Sequence, residues 1–174
     1  MLLAHGAGSS PDVVARLLAP CLPDLPVLAP MLRGSAADSA EELGDLARGH
    51  EVVLAAGISL GAHALVAAWA GADRTAPLVL VMPAWTGAPG QVAGATAAAA
   101  DDLALRGRDA VLASLATDPR TRDDWVREEL AAAWSAYDDG TLVTALRAAS
   151  TSPGPTSDQL AGVRSPTALV ALAD

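Results

Sequence analysis

The chain has 174 residues, 52% hydrophobic and 18% charged, which suits one folded domain with a sizeable core and excludes a disordered tail. Eleven basic residues against twenty acidic ones give a net charge of −9, which speaks against nucleic acid and anionic membrane surfaces as partners. Cys21 is the only cysteine, so no intrachain disulfide is possible and nothing marks an oxidising compartment.

In chain order, the N-terminal MLLAHGAGSS has no basic segment and only four residues before His5, too short for a signal peptide, so a cytoplasmic location is expected. Short Val- and Leu-rich runs at Met1–Ala4, Leu25–Ala29, Glu51–Ala56, Pro77–Met82 and Thr167–Ala173 read as strands. They are near-continuously apolar, the pattern of a parallel sheet covered on both faces. Asp12–Ala19, Asp38–Arg48 and Leu60–Gly71 read as helices between them, with Asp12 and Asp38 as N-terminal signals. Val52 to Ala72 carries no charge and is long enough to span a bilayer, but Gly57, Ser59, Gly61 and His63 lie together near its centre. Strand, turn and helix account for it better.

From Thr86 to Arg164 the alternation stops and no strand is evident. Val126, Leu130, Ala133, Trp134 and Tyr137 form one helical stripe within Thr121–Asp138, started by Asp118-Pro119 and ended by Asp139-Gly140. Ala97–Ala100 reads as helix and TSPGPTSD, Thr151–Asp158, as the loop back to the sheet. The expected architecture is α/β: one doubly wound, mostly parallel sheet over residues 1–174 with a helical cap inserted at 86–164.

Ligands of open α/β sheets bind beyond the carboxyl ends of the strands. The segments that follow the proposed strands are His5–Gly8, Pro30–Gly34, Gly57–Ser59, Pro83–Trp85 and Asp174, and they should share one crevice. Ser59 stands in GISLG, a G-x-S-x-G spacing at a strand-to-helix turn. To act as a nucleophile it needs a base and backbone donors for the oxyanion. The first N–H groups of the following helix lack intrahelical partners, so Leu60 N–H is one donor and Ala7 N–H, in the His-Gly loop, the second.

With HGAG at His5–Gly8, APMLRGSAAD at Ala29–Asp38 and GISLG at Gly57–Gly61 in this order, the chain resembles the α/β-hydrolase superfamily, in particular small bacterial esterase-like members. The resemblance implies Ser59 as nucleophile, Ala7 and Leu60 as the oxyanion hole and Asp174, or the residue after it, as the acid. It also implies a histidine after the acid, and none follows Asp174; the expectation is a chain truncated at the acid-bearing strand, with the C-terminal part and the first two family strands missing.

His5 is expected to shape the oxyanion loop, His63 to pack or hydrogen-bond under the turn, and His50 to lie on the surface. Trp85 and Met31 are candidates for contacting the substrate, Trp69 is a core residue, and Trp125 and Trp134 are expected to pack onto the sheet. Arg33 reads as a solvated or ion-paired side chain. No His/Cys/Asp cluster has ligand spacing, so neither metal nor cofactor is expected. Two functions remain: a serine hydrolase of a small ester or related acyl substrate, or a non-catalytic hydrolase-like binding domain. A phosphate loop at HGAGSSP is disfavoured, since position 11 is Pro11 and no G-K-[ST] is present.

Overall fold

A computed structural model describes residues 1–21, 23–115, 117 and 124–171. Four strands, β1 (Leu2–Ala4), β2 (Ala55–Ile58), β3 (Leu78–Val81) and β4 (Thr167–Val170), form one parallel sheet in the order β1-β2-β3-β4. Helix α1 (Pro11–Leu18) and a short 3-10 turn (Ala19–Cys21) follow β1, α2 (Ala36–Gly49) precedes β2, and α3 (Leu60–Trp69) joins β2 to β3. Among the described residues, five helices lie between β3 and β4: α4 (Gln91–Arg106), α5 (Arg108–Leu115), α6 (Asp124–Ser135), α7 (Asp139–Thr151) and α8 (Ser157–Gly162).

The sheet sorts its side chains by alternation. Leu2, Ala4, Ala55, Leu78 and Leu80 pack with Leu43 of α2 and with Leu65 and Trp69 of α3. Leu3 and Ala56 face the other way, onto Val14 of α1. Helices therefore cover both faces, which is why β1 to β3 read as unbroken apolar runs.

The run Leu25–Ala29 is not a strand. It makes a single parallel bridge, Leu2 to Leu28, with Leu28 N–H on Met1 O and Leu3 N–H on Leu28 O. Pro26 and Pro30 on either side have no N–H to extend the ladder. That bridge still fixes the topology: from β1 the chain goes to one side, to Leu28, and returns across to β2 on the other. The direction of winding reverses between β1 and β2, and the carboxyl ends of those two strands open a crevice.

Several local expectations shift. The second strand is Ala55–Ile58, not Glu51–Ala56, and it continues into the glycine turn. The caps of α1 and α2 are Ser10 and Ser35, whose hydroxyls accept from Val13 N–H and Asp38 N–H. Asp12 and Asp38 lie in the first turns, where their charge favours the helix dipole. Asp139-Gly140 does not end a helix but begins α7, because Asp138 caps it by accepting from Thr141 N–H. Asp118-Pro119 lies outside the described residues. Cys21 is exposed. All four residues of β4 are exposed, Leu169 at 65%. No helix among the described residues is long and apolar enough to cross a membrane, and Val52–Ala72 divides into strand, turn and helix.

A second apolar cluster joins the inserted helices to the crevice loops. Ala100, Leu103, Val111, Ala133, Trp134, Tyr137 and residues of α7 enclose it, with Val13 of α1, and Ala7 and Met31 pack against it. Trp134 thus packs over the loop after β1 rather than on the sheet, and Trp125 is 59% exposed and packs on neither.

Candidate active site

Ser59 occupies the turn from β2 into α3 with φ 52° and ψ −116°, a left-handed conformation that costs a side-chain-bearing residue about 1–3 kcal/mol. Its N–H donates to Val81 O, and its carbonyl accepts from Ala62 N–H and His63 N–H. The flanking glycines make the turn possible. A Cβ on Gly57 would lie 2.7 Å from the Gly61 carbonyl carbon, and one on Gly61 would lie 2.3 Å from Ala4 O. The helix start is therefore pressed directly onto the end of β1, and any side chain at either position would push the serine out of the turn.

The loop after β1 closes on the serine from the other side. A Cβ built on Gly6 would stand 3.4 Å from Ser59 Cβ. Ala7, half-buried, packs with Leu60, Ala36 and Ala149. Leu60 opens α3, so its N–H has no intrahelical acceptor. The two proposed oxyanion donors thus come from backbone on either side of one small apolar cluster. Gly8 has φ +66°, and a Cβ there would meet Leu146 Cδ2 at 2.9 Å.

His5 fixes the shape of this loop. Its Nε2 accepts from Leu32 N–H at 2.8 Å, so the ring proton resides on Nδ1, which donates to Gly6 O at 2.8 Å. The ring is almost fully buried, and burial holds its pKa below the ordinary 6.5, with the Gly6 bond opposing the shift. A histidine with a depressed folded pKa stabilises the fold above the unfolded value and ceases to do so as pH falls. Acidification below about 6.5 is expected to loosen the loop by at most about 1.4 kcal/mol per pH unit. Urea melts of the wild type and of His5→Gln between pH 7.5 and 5 would check this: the wild type loses stability more steeply.

Two contacts tie the inserted helices to this loop and to the helix α1 that follows it. Tyr137 Oη donates to Ser9 O at 2.7 Å, and burial raises its pKa to about 12 against the opposing charge of Arg33. Arg16 of α1 pairs with Glu129 of α6 on the surface. Tyr137 reads from the sequence only as part of an apolar stripe; the usable signal was that a tyrosine in such a stripe needs a partner for its hydroxyl. Arg33 itself is exposed. Met31 is half-buried against the cluster that holds Ala7.

Trp85 follows β3 on the crevice side. Its backbone N–H donates to His63 Nε2 at 3.4 Å, its indole N–H donates to Ser152 O at 3.3 Å, and its ring meets the His63 ring edge-on at 5.1 Å. His63 is buried, which lowers its pKa. His50, exposed at the end of α2, donates from Nδ1 to Leu46 O at 3.0 Å. Among the described residues no side chain hydrogen-bonds the Ser59 hydroxyl, and neither ring nitrogen of His5 is free to take its proton. Asp174 lies outside the described residues. No group of three or more His, Cys, Asp or Glu suited to a metal occurs among the described residues.

The sequence matches no protein-family model and no curated protein. Solved structures do match over almost the whole chain. An alpha/beta hydrolase family protein from Desulfitobacterium hafniense is 18% identical with a TM-score of 0.62, over 97% of this chain and 84% of its own. MenH from S. aureus is 14% identical with a TM-score of 0.67, over 97% and 83%. The enol-lactonase from Burkholderia xenovorans LB400 is 19% identical with a TM-score of 0.67, over 97% and 70%. The chain has the α/β-hydrolase fold. The strained Ser59 turn follows β2 and the His5–Gly8 loop follows β1, both at the carboxyl ends of neighbouring strands. The chain is shorter than each of these neighbours.

Proposed function

We propose that the protein is a serine hydrolase acting on a small ester, lactone or related acyl substrate through an acyl-enzyme at Ser59. The observation that carries this reading is the conformation of Ser59. A serine in a left-handed turn, between two glycines that neighbouring backbone leaves no room to replace, is held half-buried at the carboxyl end of β2 at an energetic cost. In the proposed reaction Ser59 Oγ attacks the substrate carbonyl, its proton passes to a base, and the oxyanion is met by Leu60 and Ala7 N–H. Collapse expels the alcohol, which takes the proton. Water then hydrolyses the Ser59 ester by the same steps in reverse and frees the acid. Asp174 is the proposed acid of the triad, and Met31 and Trp85 the proposed substrate contacts. The lactone class enters because one neighbour is an enol-lactonase.

A second reading, a hydrolase-like domain that binds without turnover, is favoured by one observation. His5 uses both ring nitrogens, and His63 Nε2 accepts from Trp85 N–H, so neither ring serves Ser59 as the base in these positions.

Intact-mass labelling with a fluorophosphonate separates the two readings. The hydrolase reading expects one adduct per chain, abolished in Ser59→Ala. A folded wild type that takes up no adduct would leave the binding reading.

A further inference from the structure

The helices inserted between β3 and β4 leave the sheet and return to it through a narrow neck. Gly87 N–H donates to Pro155 O at 3.1 Å and Gly154 N–H to Gly87 O at 2.7 Å, so the outgoing and returning segments clasp each other. Trp85 holds the returning segment through its indole N–H on Ser152 O, and a Cβ on Gly154 would lie 2.4 Å from Trp85 O. Ser152 Oγ in turn accepts from Ala36 N–H at the start of α2.

The neck is anchored to the body of the protein at His63. Because Nε2 accepts from Trp85 N–H, the proton of the neutral ring is on Nδ1, and that buried nitrogen finds no hydrogen-bond partner among the described residues. A charged ring would turn a second N–H against Trp85 N–H and lose the bond outright. Beside it lies a cavity of about 200 Å³. α2 presents Ser35 to Ala37 there, α3 Ala67, the neck Ser152 to Thr156 and α8 Gln159, none of them titratable. The carboxylates of the same elements nearest in sequence, Asp38 and Asp158, are exposed. Among the described residues, no charged group lines this cavity to stabilise an imidazolium while the neck stays shut.

We propose that neutral His63 is the latch of this neck, so that acidification releases Trp85 and the Ser152–Thr156 segment and opens the cavity to solvent. When opening exposes the ring, the first pH unit below about 6.5 raises the opening constant about fivefold and further units approach tenfold, as long as the closed ring stays neutral.

Native-state hydrogen exchange of the intact chain between pH 7.5 and 5, corrected for intrinsic rates, reads this directly. The amides of Trp85, Gly87 and Gly154 are expected to lose protection about fivefold between pH 6.5 and 5.5, while those of β2 and β3 keep theirs. His63→Asn, whose side-chain oxygen accepts from Trp85 N–H without titrating, should hold neck protection level with pH. If that variant does not fold, the comparison of neck with sheet in the wild type still decides. Constant neck protection, equal loss in neck and sheet, loss confined to the Leu32 and Ser9 amides around His5, or undiminished loss in His63→Asn would each overturn the latch.

Discussion

Gly61→Ala is expected to destabilise the protein by about 3 kcal/mol or more, at or above the upper end of typical overpacking costs. The added methyl would sit 2.3 Å from Ala4 O and 2.6 Å from Ala4 C, and both are backbone atoms of β1. A flexible side chain could swing aside, but β1 is held by β2 on one side and by the Leu28 bridge on the other. Relief must come from α3 moving away from the sheet, which would uncover Leu65 and Trp69. The control is Gly94→Ala within α4, where the new methyl meets nothing within 4 Å. That change should stabilise by about 0.5–1 kcal/mol, through helix propensity alone. Urea denaturation of both variants tests the contrast, and a Gly61→Ala midpoint at or above that of the wild type would refute the close approach.

The second large effect is expected at Trp69. Its ring is 1% exposed in the sheet–α3 cluster, its indole N–H donates to Ala76 O at 3.1 Å, and the Arg74 guanidinium lies 5.1 Å over its face. Trp69→Ala removes the largest fully buried side chain, and such truncations cost about 3–5 kcal/mol. It also leaves Ala76 O without its donor and Arg74 without its ring. Trp69→Phe, which keeps most of the volume, should recover the greater part of the loss. Trp125→Ala, by contrast, truncates a side chain 59% exposed and should change stability by less than about 0.5 kcal/mol. Thermal melts of the three variants rank them, and a Trp69→Ala protein as stable as Trp125→Ala would contradict this packing.

What could be read beforehand follows from which signals are local. The apolar runs of β1, β3 and β4 are short and uninterrupted, so their parallel pairing was legible from composition and spacing. The tight turn at Ser59 was legible because its geometry demands small residues at fixed offsets, and sequence records that demand. Leu25–Ala29 misled because apolar content says nothing about N–H groups, and Pro26 and Pro30 withhold them. Asp139-Gly140 misled because the same dipeptide closes one helix or opens the next, and only the bond from Thr141 N–H to Asp138 distinguishes the two. The roles of Tyr137 and Ser152 were illegible for a different reason. Their partners, Ser9, Trp85 and Ala36, lie far away along the chain, and no spacing encodes them.

Those distant bonds bear on the order in which the molecule assembles. Tyr137 reaches back to Ser9 and Ser152 back to Ala36, separations of 128 and 116 residues, whereas β2 and β3 are joined through a single helix. Loop closure is entropically cheaper and faster over short separations, so the sheet from β1 to β3 can form while the inserted helices are still unplaced. During synthesis the turn around Ser59 therefore takes shape early, with its crevice open, and the loop after β1 is roofed only once α6 and α7 have emerged. Refolding followed by site-specific probes is expected to find Tyr137 docking after the sheet from β1 to β3 has formed.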